Sequence, residues 1–311
     1  MGTLKILITG AGGALGRACV EEALARGHEV VALRRRAGET PQGATGWTSD
    51  LIDGLPGDAL ANVDAVLHIA ASVSNDPAAL KRDTIDATRA LTNSLAALAE
   101  KPLVVLASTI SVYDADLPRS LPVKESSALE TRAGDREPYM RAKLYQEQCV
   151  QDAGITAWAL RIGAVYSECN FWNAHIGFRK GPLLVSLGRN GEVPTVHLND
   201  AAGALLSAAE TDPMGQFEAV NIVEDVPPKR REVIAALAPA IHLPLHWSLL
   251  IPFANVAHRL FGARAPGLLQ PRILRARMSN RSYDNSRAKS RLGWQPERRF
   301  GEMTSKPEGP A

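Results

Sequence analysis

The chain has 311 residues, of which 45% are hydrophobic and 22% are charged, and its formal net charge is +2. This composition is typical of a globular protein with a substantial core and excludes an intrinsically disordered chain. The near balance of charge excludes a general electrostatic affinity for nucleic acid.

The three cysteines, Cys19, Cys149 and Cys169, cannot all pair and show no metal-ligand spacing. We therefore expect reduced thiols, a cytoplasmic protein and no metal site. A glycine turn interrupts the N-terminal apolar run, so the sequence predicts no signal peptide. An apolar stretch near residues 243–261 is interrupted by His246, Pro252, Asn255 and His258, so we expect no transmembrane segment.

The first predicted elements are a strand, a glycine turn, a helix and a second strand. Residues 4–9 form a short apolar run typical of a buried parallel strand, and residues 30–33 form the next one. Between them lie Gly10, Gly13 and Gly16, at the start of a helical pattern. A dinucleotide pyrophosphate needs backbone amides at close range and a helix N-terminus, and glycines allow this approach. The glycine spacing alone is weak evidence, but with these flanking elements it predicts a dinucleotide site built from backbone.

The residue that ends the second strand indicates which dinucleotide binds. An NAD site usually has an acidic residue there, whereas a 2′-phosphate needs a cation. Here Arg34 is followed by Arg35 and Arg36, and the first acid is Glu39. Because a guanidinium can bind a phosphate through paired hydrogen bonds, we expect NADP(H) to be preferred, with NAD(H) as the alternative. A solvated basic loop is the other interpretation.

Strand and helix patterns then alternate along the chain. Strands are predicted near 47–51, 64–71, 103–107, 156–161 and 220–223, and helices near 77–99, 138–152 and 200–210. This alternation predicts an α/β fold, a doubly wound parallel sheet of the Rossmann type, with ligands at the carboxyl ends of the strands. His68 lies within the fourth strand, where we expect a buried structural histidine rather than a catalytic one.

The alternation ends near residue 224. We expect a dinucleotide-binding domain over residues 1–167, to which residues 193–223 return. Residues 168–192 and 224–300 would form a smaller, mostly helical C-terminal substrate lobe, and residues 301–311 a disordered tail.

Tyr139 and Lys143 are four residues apart in a predicted helix and project from one face. Reduction of a ketone needs a proton donor at the carbonyl oxygen, and a free tyrosine, with a pKa of about 10, is a poor base for the reverse reaction. A lysine ammonium one turn away, together with a positively charged nicotinamide, would lower that pKa. Thr109, at the end of the fifth strand, can polarise the same oxygen. The pair alone is weak evidence, but its place after the alternating elements favours catalysis.

These motifs resemble the extended short-chain dehydrogenases/reductases, a family of NAD(P)-dependent epimerases, dehydratases and hydroxysteroid dehydrogenase-like reductases. The resemblance extends from residue 3 to about residue 297. The segments that carry it are 9–16, 50–51, 64–71, 108–113, 139–143, 160–166, 196–202 and 286–294.

The resemblance implies that Thr109, Tyr139 and Lys143 are the catalytic residues and that Lys143 also touches the nicotinamide ribose. Together with Arg34 and Arg35, the cofactor contacts would be Tyr139, Lys143, Gly10, Gly12, Gly13, Ala14, Leu15, Gly16, Asp50, Leu51, Ala70, Ala71, Ile162 and Val165. The chain departs from the family pattern at three places, since Thr109 replaces a serine, Thr84 an asparagine and Ser167 a glycine. Thr109 keeps the hydroxyl of the usual serine. The change at Thr84 leaves open how the hydrogen-bond network of the active site is formed.

The substrate is indicated less directly. Sugar-nucleotide members of the family usually carry an arginine just before the segment at 196–202, and residues 191–195 contain no cation. Dehydratase members place an acidic pair after the hydroxyl residue, where this chain has Ile110 and Ser111. Residues 243–261 resemble the apolar C-terminal region of hydroxysteroid dehydrogenase-like members, which favours a lipophilic substrate, although a helix packed on the main domain would show the same pattern. Residues 264–299 contain ten Lys or Arg and only two acids. This basic segment could be a solvated face, or it could bind an anionic group of the substrate or an acidic membrane surface.

We therefore expect an NADPH-dependent ketone reductase, or secondary alcohol dehydrogenase, that acts on a small and fairly hydrophobic molecule. The alternatives are an NAD-dependent sugar-nucleotide epimerase and a non-catalytic NADP-sensing protein. The oligomeric state stays open, with a homodimer among the options.

Overall fold

A seven-stranded parallel sheet is the centre of the computed structural model, which describes residues 2–55, 57–74, 76–188, 190–262 and 267–304. Its strands are β1 (Lys5–Thr9), β2 (Glu29–Arg34), β3 (Thr45–Thr48), β4 (Ala65–His68), β5 (Leu103–Thr109), β6 (Ala157–Ile162) and β11 (Phe217–Ile222). They lie in the order β11-β6-β5-β4-β1-β2-β3, and every neighbouring pair is parallel. The order reverses direction between β1 and β4, which is where such sheets bind ligands.

Helices cover both faces of this sheet. One face packs against α1 (Ala14–Ala25) and α6 (Leu198–Ala209), and the other against α2 (Gly57–Leu60), α4 (Ala87–Ala96) and α5 (Pro138–Asp152). Successive strand residues alternate between the two cores, since Ile6 and Ile8 join the first cluster and Leu7 joins the second. The prediction of a doubly wound α/β sheet is confirmed.

Two predicted elements differ in detail. The helix expected at 77–99 consists of α3 (Pro77–Leu80), a π-helical turn over Lys81–Asp86, and α4. The third strand lies at 45–48 rather than 47–51. It ends early because the Asp50 carboxylate accepts a hydrogen bond from the Ile52 amide and begins a 3₁₀ turn over Leu51–Asp53.

The second half of the chain adds two small sheets. Strand β7 (Ala164–Tyr166) pairs with β10 (Thr195–His197), and a three-stranded sheet has the order β12 (Ile241–Leu245), β9 (Leu183–Leu187), β8 (Gly177–Lys180). The helices here are α7 (Arg230–Leu237), α8 (Ile251–Phe261), α9 (Pro271–Met278), α10 (Ser286–Leu292) and α11 (Phe300–Thr304). The sequence analysis expected mainly helices in this region. It missed β12 because Pro244 argues against a strand, yet proline is tolerated at a sheet edge.

The C-terminal segment returns to the main core. Leu292 and Trp294 pack in the same cluster as α1 and α6, and the Trp294 indole donates to the Asp200 carbonyl at 2.9 Å. Residues 301–304 lie in α11, so the predicted disordered tail is wrong for them. Residues 305–311 and Arg264 lie outside the described residues. No helix in the described ranges is long and apolar enough to cross a membrane.

Trp158→Ala should lower the free energy of unfolding by about 3–5 kcal/mol. Trp158 on β6 is fully buried among the strands and α6, and its indole donates to the Thr211 carbonyl at 2.7 Å, so truncation leaves a cavity and an unpaired carbonyl. Urea denaturation measures the change. Leu121→Ala, at a position with 64% exposure, is the control and should shift stability by less than about 0.5 kcal/mol.

Candidate active site

A cleft of about 790 Å³ opens at the carboxyl ends of the sheet strands. Its walls come from the turn after β1, the end of β2, the segment after β4, the end of β5, helix α5 and the residues after β6. It brings together every predicted site residue except Gly12. Those residues are Gly10, Gly13, Ala14, Leu15, Gly16, Arg34, Arg35, Asp50, Leu51, Ala70, Ala71, Thr109, Tyr139, Lys143, Ile162 and Val165.

The glycine turn has different requirements at its three positions. Gly10 has a φ of +71°, and a Cβ on Gly16 would lie 2.2 Å from the Gly10 carbonyl oxygen, so both positions need glycine for the turn itself. A Cβ on Gly13 would meet nothing closer than 3.5 Å, which leaves the approach from the cleft open. Gly13 also caps α1, and amides at a helix N-terminus can hold a pyrophosphate. Gly12 lies beside the Arg34 side chain instead.

The cations at the end of β2 already have partners within the chain. The Arg34 guanidinium donates to the Glu39 carbonyl and to the Thr40 hydroxyl, and Arg35 pairs with Asp83 at 2.6 Å. Both arginines line the cleft. They therefore place two guanidinium groups at this end of the cleft, beside the carboxylates of Asp50 and Asp83, in a geometry that the loop itself helps to fix.

The sequence analysis missed Asp83, which also lines the cleft. Arg82 pairs with the Asp83 carboxylate at 2.6 Å and with the Asp50 carboxylate at 2.5 Å. Burial opposes ionisation of Asp83, but hydrogen bonds from Arg35 and Arg82 lower the pKa of its carboxyl. No motif marks Asp83, because the π-helical turn decides which way it points.

The proposed catalytic residues meet at one side of the cleft. Lys143 Nζ lies 5.9 Å from the Tyr139 ring centroid and donates to the Ala107 carbonyl at 2.8 Å. The Thr109 hydroxyl donates to Ser111 Oγ at 3.3 Å and accepts from the Ser111 amide. All three side chains therefore reach the same cavity from β5 and α5.

Their pKa values follow burial. Burial raises the pKa of Tyr139 to about 12 and lowers the pKa of Lys143 to about 8, against an opposing effect of Glu147. The sequence analysis expected Lys143 to help lower the tyrosine pKa. That expectation also included a positively charged nicotinamide. For the chain's own residues the net change in the pKa of Tyr139 is upward, because burial disfavours the charged phenolate.

Buried polar contacts hold α5 against β5 and β6. The Glu147 carboxylate accepts from Ser108 Oγ at 2.5 Å and pairs with Arg161 at 2.9 Å. Ser108 itself lines the cleft, next to Thr109. Since Glu147 lies one helical turn beyond Lys143, this ion pair fixes the face of the helix that the cleft uses.

His68 belongs to a second buried network. Its ring nitrogens lie 2.9 Å from the Thr9 and Thr88 hydroxyls, and the Gln146 amide is also in contact. Burial, with a smaller contribution from Lys143, lowers the pKa of His68 to about 3, so the ring is neutral and structural as expected. Thr84 accepts from the Ser72 amide at 2.8 Å and so fixes the wall of the cleft.

A second cavity of about 480 Å³ contains a cation that the sequence analysis did not place. Arg230 of α7 is buried and donates to the carbonyls of His175, Asn190 and Met278. It lies so close to Gly191 that a Cβ there would meet the guanidinium at 2.6 Å. Residues 191–195 have no cation of their own, but folding brings one to them. In the sequence, the basic run at residues 229–231 is the signal that could have indicated this cation.

Many cations of the basic segment 264–299 are bound within the chain. Arg272 pairs with Glu130 at 2.6 Å and with Asp114 at 2.9 Å, and Arg287 and Arg291 both pair with Glu218. Lys289 and Arg298 pair with acids too. Much of the positive charge of this segment is therefore engaged in ion pairs with other parts of the same chain.

Comparisons with known proteins identify the family and the fold of this chain. The sequence model of the NAD dependent epimerase/dehydratase family matches residues 6–222. A curated Streptomyces protein, 3-diazoavenalumate denitrifying reductase, is 26% identical over 310 residues, with 94% of this chain and 96% of that protein covered.

Solved structures show the same fold at low identity. MoeE5 in complex with UDP-glucuronic acid and NAD has a TM-score of 0.72 at 21% identity, with 97% of this chain and 96% of that chain covered. A short-chain dehydrogenase/reductase superfamily protein from Agrobacterium tumefaciens with bound NAD has a TM-score of 0.69 at 21% identity, with 96% and 94% covered. UDP-N-acetylglucosamine 4-epimerase from Bacillus cereus has a TM-score of 0.67 at 20% identity, with 97% and 94% covered.

The burial of Lys143 predicts a pH dependence of stability. Its pKa of about 8 lies below the ordinary 10.5, so between about pH 8 and pH 10 the unfolded chain binds more protons and the folded state gains stability as pH rises. Lys143→Met should lack this gain, worth about 2 kcal/mol. Urea denaturation across this range tests it against Lys101→Met, at an exposed position, which should keep the wild-type slope. A Lys143→Met slope equal to the wild-type slope would contradict the prediction.

Proposed function

This chain belongs to the NAD-dependent epimerase/dehydratase family, and from that premise we propose that it is an NADPH-dependent reductase of ketones, or the dehydrogenase of the matching secondary alcohols. The observation that carries the proposal is that Thr109, Tyr139 and Lys143 line the same cleft as the glycine turn. Val73, Ile162 and Val165 add apolar surface there, which suits a fairly hydrophobic substrate.

The residues present fit a dinucleotide. The turn from Gly10 to Gly16 and the N-terminus of α1 would hold the pyrophosphate, and Asp50 and Leu51 would lie at the adenine end. Ala70, Ala71, Ile162 and Val165 would line the rest of the bound molecule. NADPH supplies a hydride when it is bound.

Tyr139 is the proton donor of the proposed reaction. Its raised pKa keeps the phenol protonated at neutral pH, so it delivers its proton to the substrate oxygen during reduction. Thr109 holds the same oxygen through its hydroxyl. Lys143, anchored on the Ala107 carbonyl, keeps positive charge beside the phenol below about pH 8 and so stabilises the phenolate that forms.

The Streptomyces relative supports a reducing role, because its name describes a reductase.

The three free cysteines support the cytoplasmic location that the sequence analysis expected.

A preference for NADP(H) rests on Arg34 and Arg35. Both line the cleft at the end of β2, where an NAD site would have an acid. Their contacts with Glu39, Thr40 and Asp83 hold the guanidinium groups in place, and a 2′-phosphate would add a charge-assisted partner. NAD(H) remains the alternative, since two of the solved neighbours described above, MoeE5 and the Agrobacterium tumefaciens protein, contain NAD.

A sugar-nucleotide epimerase is the second candidate. Two observations favour it. The solved neighbours include MoeE5 with bound UDP-glucuronic acid and a UDP-N-acetylglucosamine 4-epimerase, and Arg230 is buried beside Gly191. Against it, the Arg230 donors are largely taken by backbone carbonyls. Tightly bound NAD in the purified protein and interconversion of UDP-sugars would favour this function, whereas NADPH oxidation with apolar ketones would favour the reductase.

Tyr139→Phe should reduce turnover by about 10²- to 10⁴-fold and leave nucleotide affinity nearly unchanged, because the change removes only the proton donor. NADPH oxidation over a panel of steroid, aryl, alkyl and β-keto ketones measures the rate, and fluorescence titration measures binding. The control is Tyr145→Phe on the same helix, whose hydroxyl contacts Arg89 at 3.0 Å outside the cleft. Wild-type turnover in Tyr139→Phe would exclude the assigned role.

Arg34→Asp should weaken NADPH binding far more than NADH binding, by about tenfold or more, because it replaces a phosphate partner with a like charge. Titration of both nucleotides against Arg36→Asp, which is exposed and does not line the cleft, gives the comparison. Equal losses for NADPH and NADH would remove the argument for NADP(H).

A further inference from the structure

The second half of the chain exposes a group of large apolar side chains. Six of them define what we call the apolar face, and each is between 51% and 70% exposed: Ile241, Leu243, Leu249, Phe253, Val256 and Leu260. All six come from one stretch of the chain, in β12, the 3₁₀ turn over Trp247–Leu250, and α8. Single exposed apolar residues are common, but such a group normally marks a binding surface.

Helix α8 shows the reverse of ordinary amphipathicity. Its inward face is small, with Ala254 fully buried and Ala257 half-buried. Phe253, Val256 and Leu260, spaced at i, i+3 and i+7, point outward instead. A helix that packs on a core normally buries its large apolar side chains. The apolar stripe of α8 instead faces away from the core of the described part of the chain.

The three-stranded sheet continues the same surface. Register places Leu243 beside Val185, which in turn lies opposite Phe178, and Phe178 is 46% exposed. Val185, Leu250 and Ile251 all pack against the same buried cluster, formed by Leu187, Leu274 and Met278. The three-stranded sheet and the start of α8 therefore border one shared core.

The charges around this surface have one sign. Residues 233–283 contain no Asp or Glu, although they contain six Arg and three His. Of these arginines, Arg272 and Arg277 pair with acids elsewhere in the chain. Arg259 on α8, and Arg179 and Lys180 next to Phe178, are exposed beside the apolar side chains. We propose that the apolar face binds the surface of an anionic lipid bilayer, with the large side chains at the acyl boundary and the cations at the headgroups.

Charge complementarity selects the bilayer over a second copy of the chain. A second copy docked on this face would bring its own cations against Arg179, Lys180 and Arg259, and the face offers no acids to pair with them. An amphipathic helix with apolar side chains and flanking cations lies instead in the plane of a membrane interface and gains from anionic lipid. The surface is independent of the proposed reductase activity, because none of these residues lines the cleft.

Vesicle co-sedimentation of the full chain tests the proposal. Vesicles of phosphatidylcholine with about one third phosphatidylglycerol should pellet the protein, and pure phosphatidylcholine should pellet much less. The double variant Phe253→Asp/Leu260→Asp should lower the partition coefficient by about tenfold or more. Met214→Asp, at a position with 74% exposure away from the face, is the matched control and should bind like the wild type.

A second pair of variants tests the cations without touching α8. Arg179→Glu/Lys180→Glu should lower binding to the anionic vesicles by about fivefold or more, and added salt should weaken wild-type binding in the same way. Circular dichroism confirms that each variant is folded.

Three results would overturn the proposal. The first is a wild-type chain that does not pellet with anionic vesicles, and the second is a folded Phe253→Asp/Leu260→Asp variant that pellets as well as the wild type. The third is a concentration-dependent dimer in light scattering that this variant abolishes, since it would assign the face to a second copy of the chain.

Discussion

A buried ladder of polar contacts along one face of α5 fixes the geometry of the cleft. Lys143 reaches the Ala107 carbonyl, and Glu147 reaches Ser108 and Arg161. A buried charge is tolerated only when it is paired and hydrogen-bonded, so these contacts hold only when α5 lies in one position on β5 and β6. Tyr139 is carried on the same helix face, and its place in the cleft follows from this arrangement.

Ion pairs also connect the basic C-terminal segment to the loop between β5 and α5. Arg272 joins the acids Asp114 and Glu130 of the loop between β5 and α5, and Arg277 contacts Glu137, two residues before Tyr139. The basic C-terminal segment thus contacts the N-terminal end of the helix that carries the proposed proton donor. Its charges act as links within one structure, which a count of charges along the sequence could not reveal.

Local pattern was enough to predict most of the fold. The apolar runs, the glycine turn and the spacing of Tyr139 and Lys143 predicted the parallel sheet and named most of the residues that line the cleft. Local pattern could not predict features that depend on long-range contacts. Asp83 faces the cleft because of a π-helical turn, Arg230 arrives beside Gly191 from a distant helix, and the edge strand β12 contains a proline. The burial that raises the pKa of Tyr139 is likewise a property of the folded chain and not of the local pattern.

The cleft draws its walls from segments spread between Gly10 and Val165. A small molecule that fills it therefore contacts pieces of chain that separate on unfolding, and by mass action it stabilises the folded state in proportion to the logarithm of its concentration. Saturation at a hundred times the dissociation constant adds about 2.7 kcal/mol. The lifetime of this chain inside a cell would thus depend on the supply of the molecule that occupies its cleft.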